Sequence, residues 1–206
     1  MYEEILTKEQ VELLPLIKSF SNQFYLVGGT ALALQLGHRR SVDFDMFRDK
    51  EFRNSNVKQK INKNNYSIEK LIHAEEGEFT IKVNKVKITF FNFPHKIEAK
   101  VKFNDIINMP NILDLAAMKA FVLSYRAKWR DYVDLYFILK EHYSFVEISL
   151  RAKQIFKNLF NEKLFREQLG YFNHIDRSES IRFLKTKIAD QEIEAFLTEA
   201  ATQPFK

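Results

Sequence analysis

The sequence predicts an α+β chain: a mixed β-sheet with flanking helices, followed by a C-terminal α-helical half. Three observations predict it. Short apolar runs with the two-residue period of strands cluster before residue 110, at 24–27, 42–47 and 78–93. Pro110 then marks a boundary. Beyond it the apolar residues recur at helical spacing almost to the end of the chain. The expected halves are residues 1–105 and 106–206, with no obvious linker between them.

Residues 7–20 read as a helix, with Thr7 as N-cap and Gln10 completing a capping box. Leu13, Leu14, Ile17 and Phe20 share one stripe of it. Residues 24–27 form a first strand that leads into a turn at Gly28-Gly29, and 30–36 make one or two helical turns. Residues 41–47 alternate strictly, so Val42, Phe44 and Met46 face a core while Asp43 and Asp45 face away. Residues 49–62 form a polar helix or loop. The stretch 66–93 is β-rich, with a hairpin whose turn is Asn84-Lys85. There Val86, Ile88 and Phe90 share one face and Lys87, Thr89 and Phe91 the other. Residues 101–103 suggest a further edge strand. Helices follow at 112–126 and 130–141, with two or three more from 146 to 202.

Composition narrows the function classes. The 206 residues hold no cysteine, which excludes disulfides, thiolate metal sites and cysteine nucleophiles. Glu3 and Glu4 stand where a signal peptide would be basic, and no apolar run approaches the ~20 residues of a membrane helix. A cytoplasmic protein with no membrane association is expected. The net charge of +5 favours polyanionic partners such as nucleotides or RNA.

Residues 27–47, VGGTALALQLGHRRSVDFDMF, carry the chemistry. Gly28 and Gly29 let backbone approach a ligand closely. The helix that begins at Thr30 offers free N–H groups to a phosphate. The basic cluster His38-Arg39-Arg40 and the hydroxyl of Ser41 lie between this cradle and the two aspartates. Asp43 and Asp45, two residues apart on a strand, stand about 6.5–7 Å apart at Cα. Two carboxylates so close repel each other, and a pair of divalent ions about 3.5–4 Å apart would relieve that and clamp an in-line phosphoryl displacement.

A second constellation follows Pro110. Ile112, Leu115, Ala116, Val122 and Leu123 form an apolar stripe with Lys119 at its centre and Arg126 near its edge. Lys119 either snorkels to solvent or points at a carboxylate or phosphate between the two halves. Asp131 and Asp134, three apart, share a face of the next helix. Asp131 in a first helical turn, or Asp134 paired with Arg130 or Lys128, would be purely structural. Walker A and G-x-G-x-x-G patterns are absent, and the five histidines have no metal-ligand spacing.

Together these residues resemble the nucleotidyltransferase superfamily of DNA polymerase beta type, and more narrowly the AbiEii/AbiGii toxin family. The resemblance implies a nucleotidyltransferase-like fold and a Mg²⁺-dependent enzyme with two ions on Asp43 and Asp45. By it, Gly28, Gly29, Thr30, Arg40, Ser41 and Arg126 bind the nucleoside triphosphate. Asp43, Asp45, Lys119, Asp131 and Asp134 are the catalytic set, the last three supplied by the helical half. The family's lysine, arginine and Arg-Asp-x-x-Asp element match Lys119, Arg126 and Arg130-Asp131-Tyr132-Val133-Asp134. Superfamily members often carry a third carboxylate on a later strand, where this chain offers Thr89. The resemblance further implies an RNA acceptor, with tRNA leading, and the role of a type IV toxin with a separately encoded antitoxin. A small-molecule nucleotidyltransferase and a non-catalytic nucleotide- or RNA-binding module are the competing readings.

Overall fold

The computed structural model describes residues 1–203. The chain divides into two compact units, the first ending at Asn111 and the second starting at Ile112.

In the first unit, helix α1 (Lys8–Ser19) starts at the expected capping box: Gln10 N–H donates to the Thr7 hydroxyl, and Thr7 N–H donates to the Gln10 side chain. A five-stranded sheet follows, from β1 (Tyr25–Val27), β2 (Phe44–Arg48), β3 (Lys70–Glu75), β4 (Glu78–Val83) and β5 (Val86–Asn92). Its spatial order is β1-β2-β5-β4-β3. Only β2 and β5 run parallel; the other neighbours are antiparallel. Asn84 and Lys85 both take positive φ, so the β4–β5 hairpin closes in the left-handed region without a glycine.

One face of the sheet is apolar. Phe44, Met46, Phe79, Ile81, Ile88 and Phe90 are fully buried there. Phe20 at the end of α1 packs on Phe90, with ring centroids 4.8 Å apart. Helix α3 (Asn54–Lys63) buries Val57 and Ile61 and lays Lys58 over the Phe79 ring. The other face carries Asp43, Asp45, Lys87, Thr89, Thr80 and Lys82, and the site is built on it.

Helix α2 (Gly28–Leu36) begins at the glycines themselves, so the turn at Gly28 and the start of the helix coincide. Two further expectations are corrected. Val42 is 54% exposed rather than core-facing, because the strand begins only at Phe44 and no sheet neighbour fixes the side of Val42. The strand β6 (Val101–Phe103) joins no edge of the main sheet; it pairs with β7 (Ile107–Met109) in a hairpin of its own.

The second unit is helical: α4 (Ile112–Leu123), α5 (Trp129–Glu141), α6 (Phe145–Phe156), α7 (Glu162–Leu169) and α8 (Asp190–Thr202). Helix α4 contacts α5, α6 and α7, which is why its burial runs almost all round rather than along one stripe. Phe121 stacks on Phe156 at 4.0 Å, and Arg151 Nε meets the buried Asp114 carboxylate at 2.5 Å. Tyr132 and Tyr136 are buried on α5, and their hydroxyls donate to the Gln168 carbonyl at 3.0 Å and to Glu192 at 2.7 Å.

Candidate functional site

The first-unit site grows from the crossing of β1, α2 and β2. β1 runs antiparallel to β2 with Val27 opposite Asp45, so the chain leaves β1 at the level of the second aspartate. It must then turn at once into α2. Gly28 makes that turn at φ +72, and a Cβ there would lie 2.2 Å from Asp45 Oδ2. Glycine is therefore required twice, by the backbone conformation and by the carboxylate resting on it. At Gly29 a Cβ would meet Arg39 Nη2 at 2.7 Å and Ser41 Oγ at 3.0 Å. The two glycines thus bring the start of a helix directly against the acidic strand and its basic approach.

Hydrogen bonds lock this arrangement. The Thr30 hydroxyl lies 2.9 Å from Ser41 Oγ and donates to the Asp43 carbonyl. From α1, the buried Gln10 amide donates to the same carbonyl at 3.4 Å. Asp43 sits just ahead of β2 with a mostly buried side chain, and Lys87 Nζ of β5 stands 2.7 Å from its Oδ2. Asp45 pairs in register with Thr89, so the threonine occupies the place beside the aspartates where a third carboxylate was sought. Ser41 and Thr30 are buried, whereas Arg40 is exposed and Arg39 is the arginine folded into the site.

Three participants escape a reading of the sequence alone. Arg39 and Arg40 are indistinguishable as neighbours in a basic cluster. Gln10 looks like a capping residue and nothing more. Lys87 is one alternating lysine among many, and only the parallel register of β2 and β5 brings it to Asp43.

The second unit holds the other predicted residues. Lys119 on α4 does not snorkel: its side chain is 10% exposed, and its Nζ lies 2.5 Å from Asp131 Oδ1 and 2.7 Å from Asp134 Oδ2 of α5. Both aspartates are fully buried. The i, i+3 spacing of the two acids on α5 places them side by side against one ammonium. Arg126 Nε stands 3.6 Å from Asp131 Oδ2, with its own side chain half exposed. That oxygen has no hydrogen-bond donor among the described residues. Lys128 and Arg130 both pair with Glu179.

Among the described residues no group of three or more His, Asp or Glu side chains is placed to hold a metal ion. The donor set is two carboxylates, Asp43 just ahead of β2 and Asp45 on it, hard oxygen ligands of the kind a Mg²⁺ ion takes one or two at a time. The residues present therefore fit a divalent ion held by Asp43 and Asp45.

A mixed sheet with paired aspartates beside a Gly-Gly helix start is the frame of a nucleotidyltransferase, and solved structures agree on the fold. An H. pylori protein described as a candidate nucleotidyltransferase matches with a TM-score of 0.60 at 16% identity, over 98% of this chain and 94% of its own. MenT4, nucleotidyltransferase toxin Rv2826c from Mycobacterium tuberculosis H37Rv, matches with a TM-score of 0.60 at 14% identity, over 94% of this chain and 82% of its own. The chain belongs to the AbiEii family, described as nucleotidyl transferase AbiEii toxin, Type IV TA system, which it matches over residues 16–204. The uncharacterized protein aq_aa25 of Aquifex aeolicus (strain VF5) is 32% identical over 161 residues, 75% of this chain and 77% of that one.

Proposed function

We propose that this protein moves a nucleoside monophosphate from a nucleoside triphosphate onto an RNA acceptor, with tRNA as the leading candidate. We place it as the toxin of a type IV pair with a separately encoded antitoxin. The observation that carries the reading is the Asp45 carboxylate resting on Gly28 at the head of α2, which joins an anion-binding helix start to an acidic strand. Family membership and the +5 net charge support it. Among the described residues no helix is long and apolar enough to cross a membrane. The proposed setting is the cytoplasm, where triphosphates and tRNA are found.

In this reading the first turn of α2, with Gly28 and Gly29, receives the triphosphate. Thr30 and Ser41 hold the strand approach in place through their mutual hydrogen bond. The exposed guanidinium of Arg40 neutralises phosphate charge. Asp43 and Asp45 would hold the divalent metal, Mg²⁺ in this proposal. When bound it supplies charge stabilisation at the phosphates and a lowered pKa for an attacking hydroxyl. The family resemblance implies two such ions, and the two-carboxylate donor set suffices for one. Lys119 and Arg126 carry the positive charge of the helical unit, with Asp131 and Asp134 fixing the ammonium. Pre-positioned charge of this kind is the main catalytic device in phosphoryl transfer.

The test is a transfer assay with Mg²⁺, each labelled nucleoside triphosphate in turn, and total cellular RNA. Label on RNA from one triphosphate is the expected result. Label on a small hydroxyl acceptor instead would replace the RNA reading with the small-molecule one. The non-catalytic reading draws on Thr89 standing beside Asp45, and triphosphate binding with no transfer to any acceptor would establish it.

A further inference from the structure

The apolar side of the sheet holds a cavity that the acidic site does not use. Side chains alternate along β2, so Phe44, Met46 and Arg48 lie on the apolar face and Asp45 on the other. Arg48 is thus three residues, about 10 Å, beyond Asp45 and on the opposite face. It lines a cavity of about 230 Å³ where α1 ends, β2 ends and α3 begins. Phe20, Phe24 and Phe52 supply aromatic walls, with Asn56 and Glu51 beside them. Phe52 is half-buried and meets the Phe24 ring edge-on, with centroids 5.4 Å apart.

The positive charge around this cavity is unspent. The Arg48 guanidinium lies over the Phe24 ring at 5.3 Å, and its Nε is buried with no hydrogen-bond acceptor. Lys60 Nζ lies over the Phe20 ring at 5.1 Å, which puts it at the border of the cavity. From 48 to 63 the chain carries Arg48, Lys50, Arg53, Lys58, Lys60 and Lys63 against two acids, Asp49 and Glu51. None of these six cations forms an ion pair with a described residue. Three of them ride on α3, a helix of about 15 Å, so the charge extends further than a single phosphate needs.

These two properties select the ligand. A hydrocarbon would leave the buried Arg48 donor unpaired. A bare phosphate would leave the aromatic walls uncovered. A nucleobase does neither: it stacks on aromatic rings, offers acceptors to a guanidinium and brings phosphates for the surrounding cations. The volume falls below the about 300–1,000 Å³ of pockets for drug-sized ligands, which is room for one base rather than a whole triphosphate. We propose that this cavity takes one unpaired base of an RNA, with the cations of α3 on the neighbouring phosphates. The proposal rests on the RNA-acceptor reading and names a contact to that RNA away from its reacting end. Arg48, Phe52 and Lys60 are binding residues here and take no part in the chemistry.

The experiment is fluorescence anisotropy of a labelled single-stranded RNA oligonucleotide of mixed sequence with the full-length protein. It is run in EDTA without triphosphate, so that transfer plays no part. Wild type is expected to bind the single strand more tightly than the same sequence in a blunt duplex, whose bases are already stacked. Phe52→Ala is expected to weaken binding about ten-fold through the loss of one stacked base, with the salt dependence unchanged. Phe52→Tyr restores the affinity. Lys60→Met lowers the slope of log affinity against log salt by about 0.7, the share of one phosphate contact. Arg48→Met weakens binding too, and it carries the test should circular dichroism show Phe52→Ala unfolded. In the transfer assay Phe52→Ala raises KM for RNA and spares kcat. Wild-type affinity in both Phe52→Ala and Arg48→Met, or a wild type that binds no single strand or prefers the duplex, overturns the proposal. A nucleoside monophosphate bound as tightly as the oligonucleotide, and lost in Phe52→Ala, overturns it in favour of a free-nucleotide site. A protein that labels no RNA yet binds the single strand through Phe52 upholds it and places the failure in the transfer reading.

Discussion

The two ionic clusters are built in opposite ways. Asp43 and Asp45 lie at the head of a strand on a half-exposed sheet face, and Lys87, which pairs with Asp43, is itself 35% exposed. Asp131 and Asp134 are fully buried between helices and face a single ammonium that is 10% exposed. The first cluster is held by the backbone: the Asp43 carbonyl accepts from Thr30 and Gln10, and the carboxylates add little to the fold. The second cluster is part of the packing. Removing its ammonium takes from two buried carboxylates the cation that both face. Loss of activity and loss of stability should therefore separate in the first unit and coincide in the second.

The largest expected effect follows from that asymmetry. Lys119→Met removes the ammonium that two buried carboxylates face, and breaking such a pair costs about 3–5 kcal/mol. Urea unfolding should show that loss together with lost transfer. A Lys119→Met protein as stable as wild type would erase the distinction between the clusters. Gly28→Ala comes next. It forces an alanine to φ +72 and a methyl onto the Asp45 carboxylate, a strain of about 1–3 kcal/mol. Transfer should fall with it, whereas Gly77→Ala, also at positive φ but remote from the aspartates, should lower stability and spare transfer.

A smaller effect marks the second unit by pH. Burial pushes the Tyr132 hydroxyl up to about 12 from its ordinary value of 10.0, with the neighbouring Asp131 adding to the rise. Since the neutral phenol favours the folded state, its contribution is full below pH 10.0 and is lost as pH rises through about 12. Tyr132→Phe should flatten the fall in melting temperature over that window, and an unchanged slope would put the alkaline loss elsewhere.

The sequence made the local features legible and left the pairing between distant strands obscure. The Thr7–Gln10 capping box, the Asn84-Lys85 hairpin and the alternation of β5 each rest on residues within a few positions of one another, and each is in the structure. Val42 was misplaced because alternation fixes a side only inside a paired strand, and the ladder starts two residues later at Phe44. The β6–β7 hairpin looked like a sheet edge because three apolar-flanked residues say nothing about their partner. At the site, the glycines, Ser41 and the two aspartates could be read from one continuous segment. Lys87 reaches Asp43 only through a parallel register between strands some forty residues apart, which no local pattern encodes. The Lys119 cluster fell between: helical spacing forced the lysine inward, but its choice of both Asp131 and Asp134 needed the packing of α4 on α5.

The smallest structural effect carries the heaviest functional weight. Asp43→Asn keeps the backbone carbonyl that Thr30 and Gln10 hold and loses a partly exposed ion pair, worth less than about 1 kcal/mol. Its transfer of label from nucleoside triphosphate to RNA, measured beside its melting temperature and those of the wild type, tests the central claim most directly. Wild type is expected to label RNA, Asp43→Asn is not, and the two are expected to melt within a few degrees of each other. Full labelling by a folded Asp43→Asn protein would contradict it.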